Sequence, residues 1–108
     1  MRAGSLDRRI TIERATESRD AFNSIVKAWA TLTTVWASKQ ETRDTERVAS
    51  QEVGAEITTR FQIRWSSTVS DVNPKDRVIF DGRTYDIVGV KEIGRREGLE
   101  LSTSARSD

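Results

Sequence analysis

The stretch AEITTRFQIRW, residues 55–65, alternates apolar and polar side chains with a period of two. Ile57, Thr59, Phe61, Ile63 and Trp65 fall on one side, and Glu56, Thr58, Arg60, Gln62 and Arg64 on the other. A helix advances about 100° per residue and scatters such a set around its circumference, whereas a strand gathers it on one face. One face therefore belongs to a core and the other to solvent, and the rest of the chain must supply a sheet around it.

Further strands can be read from the same logic. RRITIER, residues 8–14, alternates with Ile10 and Ile12 to one side. The following ATESRDAFNSIVKAWA is polar with scattered apolar residues and reads as a long connection, with Asp20 and Asn23 as turn formers and Trp29 tucked back onto the core. TLTTVWASKQ, residues 31–40, is a second strand, and the loss of alternation between Leu32 and Val35 calls for a turn or bulge near Thr33. SSTVSDVNP is a loop ended by Pro74. Asp81-Gly82 between two β-branched runs is a hairpin signal, because Gly accepts positive φ in a two-residue turn. It yields strands over residues 77–80 and 83–91, with Gly89 marking a bulge. LELSTS is a last short strand with Leu99 and Leu101 inward, followed by a flexible tail at about 104–108.

About six antiparallel strands joined by turns close most readily as a small β-barrel, which removes exposed edges. The fold class is thus mainly β, one domain over residues 1–108, with one short helix or long loop inserted between strands two and three. The expected core is Ile10, Ile12, Val35, Ile57, Phe61, Ile63, Trp65, Val78, Phe80, Tyr85, Ile87, Leu99 and Leu101. The three tryptophans recur inside strand segments, where a core would use them.

The insert, ETRDTERVASQEVGAE at 41–56, reads as a short helix capped at Thr42 or Asp44 and released at Gly54. Val48, Ala49 and Val53 form a stripe too thin to fill a core, so a helix this short needs something to lean on. Arg43, Asp44, Glu46, Arg47, Gln51 and Glu52 make it a candidate interaction arm. Its mixed charge suits a protein partner better than phosphate.

Composition narrows the chemistry. Lys plus Arg is 18 and Asp plus Glu is 17, so no basic excess is available to displace counterions from nucleic acid, although Arg8-Arg9 and Arg95-Arg96 are locally basic. The chain has no Cys and no His, which excludes disulfides, thiolate chemistry and a Ser-His-Asp triad, and removes the commonest metal ligand and general base. The glycines are dispersed, with no phosphate loop. Asp81, Asp86 and Glu92 near one hairpin are ordinary turn and strand-end carboxylates. No cofactor, metal or catalytic residue is expected, and the chain is not expected to be an enzyme. No apolar run reaches the roughly 20 residues that span a bilayer, and no long apolar stretch follows Arg2, so neither a membrane span nor a signal peptide is expected. The apolar fraction of 35% against 32% charged residues suits a chain whose polar faces are covered by other subunits.

Several passages together resemble the tailed-phage head–tail joining family, the head-closure or stopper proteins. They are MRAGSLDRRITIER with Leu6 and Arg9-Ile10-Thr11-Ile12, RDAFNSIVKAW with Asp20 and Trp29, VWAS at 35–38, TTRFQIRW ending in Ile63-Arg64-Trp65, and DRVIFDGRTYDIVGV with Gly82-Arg83 before Tyr85 and Ile87. Asn23 stands where that family commonly has Gly, which a left-handed turn tolerates, and the 41–56 insert diverges most.

The resemblance implies a structural virion protein of the head–tail connector, made in the bacterial cytoplasm, in a phage or a phage-like gene-transfer particle. It would form a ring of six or twelve copies beneath the portal and adaptor, close the DNA-filled head and dock the tail terminator or tail tube protein. The insert would face the channel or a neighbouring subunit, and packaged double-stranded DNA would pass without sequence-specific binding. The alternative from the residues alone is a small oligonucleotide- or peptide-binding β-barrel module. That reading would use the outward Arg60 and Arg64, although Phe61 and Trp65 share the core face.

Overall fold

The computed structural model describes residues 5–47 and 56–105, giving the backbone alone for residues 42–47 and 56. Six strands follow in chain order: β1 (Arg8–Arg19), β2 (Ile25–Arg47), β3 (Glu56–Arg64), β4 (Arg77–Phe80), β5 (Arg83–Ile93) and β6 (Gly98–Ala105). All pairings are antiparallel. The sheet runs β1-β2-β3-β6-β5-β4 and closes into a barrel where β4 meets β1 at Thr11–Glu13.

Two bulges shape the closure. Ile12 faces Thr33 and Glu13 faces Thr31, so Leu32 is an extra residue on β2, beside the Thr33 position where alternation fails in the sequence. Ile87 faces Thr103 and Gly89 faces Ser102, leaving Val88 extra on β5, next to the predicted Gly89 bulge. Such insertions bend a strand and increase its twist, which a barrel this small requires. Asp81 and Gly82 both take positive φ, 52° and 76°, in the two-residue turn joining β4 to β5.

Phe61 lies at the centre of the core, fully buried and edge-on to Tyr85 and Phe80 with ring centroids 5.3 and 6.0 Å away. Ile10, Ile12, Ile57, Ile63, Val78, Tyr85, Ile87, Leu99 and Leu101 are buried, and Val35, Trp65 and Phe80 are partly buried against them. Leu6, Ala37, Val69 and Val72 complete the interior. Val69 and Val72 come from the loop after β3, whose backbone turns Val69 N to Ser66 O and Val72 N to Val69 O drop both valines into the core. The buried Thr103 hydroxyl is satisfied by donating to the Thr59 carbonyl at 2.7 Å.

Three expectations are corrected. Residues 15–30 are not a long connection: β1 runs on to Arg19, and β2 returns from Ile25 in unbroken register. The alternation is faint there because neither ribbon face is buried, and burial is what imposes a two-residue period. The insert is not helical from Thr42 or Asp44: β2 continues as strand to Arg47, and β3 captures its edge from Ala37↔Ile63 to Glu41↔Thr59 and again at Glu46↔Ile57. Pairing with β3 overrides local capping chemistry. The stripe Val48, Ala49 and Val53, with Gln51, Glu52 and Gly54, lies outside the described residues. Finally, the tryptophans are not core residues in the sense of Phe61. Trp36 alternates out of phase with Val35 and Ala37 and is 51% exposed, while Trp29 and Trp65 are half-buried.

Candidate functional site

The most conspicuous surface feature is the β1–β2 hairpin. Beyond Glu13, where β4 stops pairing with β1, six residues of β1 carry the ribbon about 20 Å further at the usual strand rise. Residues 16–28 are all exposed. The turn at the tip is built locally. Asp20 Oδ1 accepts from the backbone N–H groups of Phe22 and Ser24, each at 2.9 Å, and Asn23 sits at φ 62°. The Arg19 guanidinium donates to the Asn23 carbonyl at 3.0 Å. This turn carries Phe22 at 89% exposure, with Ile25 at 62% and Val26 at 42% just behind it. A rigid tip that presents apolar side chains to water is an unusual use of surface in a chain with so few of them.

The base of the hairpin is clamped to the barrel. Arg14 reaches the loop before β4, donating Nε to Asp76 Oδ1 and Nη2 to Asp76 Oδ2, both at 3.0 Å, and Nη1 to Asp71 Oδ2 at 3.0 Å. Asp76, with its side chain 2% exposed, also accepts from Asn73 N at 3.1 Å. Hydrogen bonding to Asp76 and then to Asp71 holds the Arg14 proton more tightly than usual. The Arg14 hydrogen bond in turn lowers the Asp71 carboxyl below its ordinary range. Beside this clamp, Arg77 pairs with Glu13 at 2.8 Å and lies 4.0 Å above the ring of Trp29, with Lys27 Nζ 5.4 Å from the same ring. The hairpin therefore projects in a fixed direction.

A second surface lies midway along β2, where its edge from Ile25 to Trp36 pairs with β1 on one side and, among the described residues, with no strand on the other. Here the end of β3 leaves a groove of about 680 Å³ with a mainly apolar lining, Leu6, Val35, Trp36 and Trp65 beside Arg9, Arg64, Thr34 and Ser66. Arg9 lies 5.1 Å over Trp36 and Arg96 5.1 Å over Trp65, so the groove has aromatic walls under a cationic rim.

The sequence-derived arm occupies the opposite end of β2. Arg43, Asp44, Glu46 and Arg47 lie on the strand that leaves the barrel towards residues 48–55, with residues 42–45 interrupting the ladder between Glu41↔Thr59 and Glu46↔Ile57. Lys39 Nζ pairs with Glu41 at 2.9 Å and draws that carboxyl below its ordinary range. The outward Arg60 pairs with Glu100 at 3.7 Å, and Gln62 donates to the other Glu100 oxygen at 3.0 Å, so the Glu100 carboxylate is shared between them. Asp81 sits in the β4–β5 turn, Asp86 faces Arg77, and Glu92 faces Leu99. No cluster of acidic side chains able to hold a metal occurs among the described residues. Phe22, Ile25 and Val26 were missed in the sequence because they fall in the segment read as a connection. The available signal was a β-branched pair one residue after an Asp-x-x-Asn turn.

The fold and surfaces define a small closed antiparallel barrel whose distinctive residues lie on projecting ribbons and a shallow groove. The chain belongs to the phage head completion protein family, whose sequence model matches residues 1–106. It is accordingly a structural, head-related protein of the virion. A solved structure of protein SF1141 from Shigella flexneri 2a is similar to it at 29% identity, with 97% of this chain and 96% of that one covered and a TM-score of 0.74. A chain in the virion of a native gene transfer agent particle shares the fold at 20% identity, with 91% of this chain and 92% of that one covered and a TM-score of 0.67. No curated protein matches the sequence.

Proposed function

We propose that the chain is a ring-forming subunit of the head–tail connector. It sits beneath the portal and adaptor, closes the DNA-filled head and offers a platform to the tail terminator or tail tube protein. The observation that carries this reading is the family match over residues 1–106, borne by a barrel that extends ribbons from both ends of one strand. In this reading the end of β2 and the connection to β3, with Arg43, Asp44, Glu46, Arg47, Gln51 and Glu52, face the channel or a neighbouring copy. Near-neutral overall charge suits a channel through which DNA must slide, since a strongly basic lining would grip phosphates. The protein acts by fitting between copies and neighbouring virion parts, without a catalytic step. Arg60, one of the two cations on which the oligonucleotide-binding alternative rests, already has Glu100 as an ion-pair partner.

Deletion of residues 43–54 tests the reading. It spares the ladder between Ala37 and Glu41 on β2 and Thr59 and Ile63 on β3, so the barrel stays folded. Particles carrying the deletion should lose packaged DNA or fail to join tails, visible by electron microscopy. Fully tailed, DNA-retaining particles would remove the role assigned to this segment.

A further inference from the structure

We propose that the β1–β2 hairpin tip of one copy docks in the Trp36–Trp65 groove of the next copy, so that the lateral contact of the ring is heterologous, arm into groove. This rests on the ring reading given above and names the surfaces that would build it.

The two surfaces are complementary. The tip offers Phe22, Ile25 and Val26 exposed on a rigid turn. The groove offers apolar walls from Trp36 and Trp65 over a floor that includes the buried Leu6. Their charges match as well. The turn carries Asp20, opposite in sign to Arg9 and Arg64 of the groove, while the neighbouring Arg19 guanidinium is engaged by the Asn23 carbonyl. The edge of β2 from Ile25 to Trp36, unpaired among the described residues, runs alongside and can offer backbone groups to an incoming segment.

The occupant is a second copy and not the groove's own tip. Ile25 and Trp36 lie on the same strand, roughly 36 Å of extended chain apart. The Arg14 and Arg77 clamps fix the hairpin pointing away from the barrel, so a tip cannot fold back into its own groove. Knob and socket are thus different patches on one molecule, and such a contact propagates from copy to copy and closes when the rotation allows. Three side chains and a shallow groove bury less than the roughly 1,200 Å² of a stable pair. One contact is therefore weak, and the contact becomes populated where every copy makes two.

The chain has no cysteine, which makes the test clean. Ala21→Cys and Ser66→Cys, both at exposed positions, are prepared as separate full-length proteins, one with a mass tag. They are treated at high concentration with a short bismaleimide, alone and mixed. The proposal expects tagged–untagged dimers in the mixture and few in either variant alone. It also expects Trp36→Ala in the Ser66→Cys protein to lower the yield about tenfold with little change in melting temperature. Self-linking of Ala21→Cys alone would mean arm-to-arm pairing and would overturn it. An unlinked mixture, or a yield indifferent to Trp36→Ala, would overturn it too. Electron microscopy of the same proteins with portal complexes separates the two levels: rings without the cross-link remove the arm-in-groove contact and leave the connector reading standing. Cross-linked open chains without rings do the reverse.

Discussion

Arg14 and Asp76, 62 residues apart in sequence, meet through two parallel hydrogen bonds of 3.0 Å, Nε to Oδ1 and Nη2 to Oδ2. This fork ties the hairpin to the loop that carries Val69 and Val72 into the core. It also braces the projecting hairpin against the loop between β3 and β4.

Replacing Arg14 by Lys keeps the charge and loses the planar fork, so it is not a conservative change here. Removing the side chain in Arg14→Ala leaves the buried Asp76 with only the Asn73 N–H among the hydrogen bonds described above. A destabilisation of about 2–4 kcal/mol is expected for Arg14→Ala, with Arg14→Lys intermediate. Urea denaturation at neutral pH measures both.

Asp71 is exposed, and its carboxyl is lowered by the same guanidinium. A folded-state value below the unfolded one contributes stability above the unfolded carboxylate pKa and loses it as pH falls through the folded value. Asp71→Asn should therefore narrow its stability gap to the parent as pH drops through the acidic carboxylate range. Paired urea midpoints across pH 2–7 (roughly the span in which carboxylates titrate) give the comparison.

Phe61 is fully buried against Phe80 and Tyr85. Phe61→Ala should cost about 3–5 kcal/mol, and Phe61→Leu distinctly less, because the cavity is smaller. Thermal unfolding followed by circular dichroism would show the order. Equal losses would mean that the core relaxes around the deletion.

Gly82 has φ 76° with open space where a Cβ would project. The cost of Gly82→Ala is then purely one of backbone conformation, about 1–2 kcal/mol. At Gly94, φ 61°, an added Cβ meets the carboxylate end of the exposed Glu97 side chain at 2.8 Å, which that flexible chain can vacate at little cost. The two losses should therefore be similar, read by comparing melting temperatures, and a much larger loss at Gly94 would mean that Glu97 cannot move aside. Glu97→Ala in the Gly94→Ala background should then change little.

The barrel was legible wherever a strand has one face in the core. The Ile57–Trp65 alternation, the Asp81-Gly82 turn and the breaks near Thr33 and Gly89 each encode local geometry, because burial of one face or a positive φ restricts which residue can stand there. What chain order could not reveal lies where that restriction is absent. The β1–β2 hairpin is exposed on both faces, so its sequence needs no alternation. Residues 41–47 carry helix-compatible charges and become strand because β3, distant in sequence, pairs with their edge. Trp36 faces outward because the phase of β2, reset at Leu32, sends Val35 and Ala37 inward. Likewise, the Arg14–Asp76 fork and the groove between β2 and the end of β3 exist only after closure. Local sequence determined the turns, the alternating strands and the lack of His and Cys chemistry. Tertiary pairing decided which ribbons project, how they are braced and which apolar side chains remain in water, since each of these depends on partners far apart along the chain.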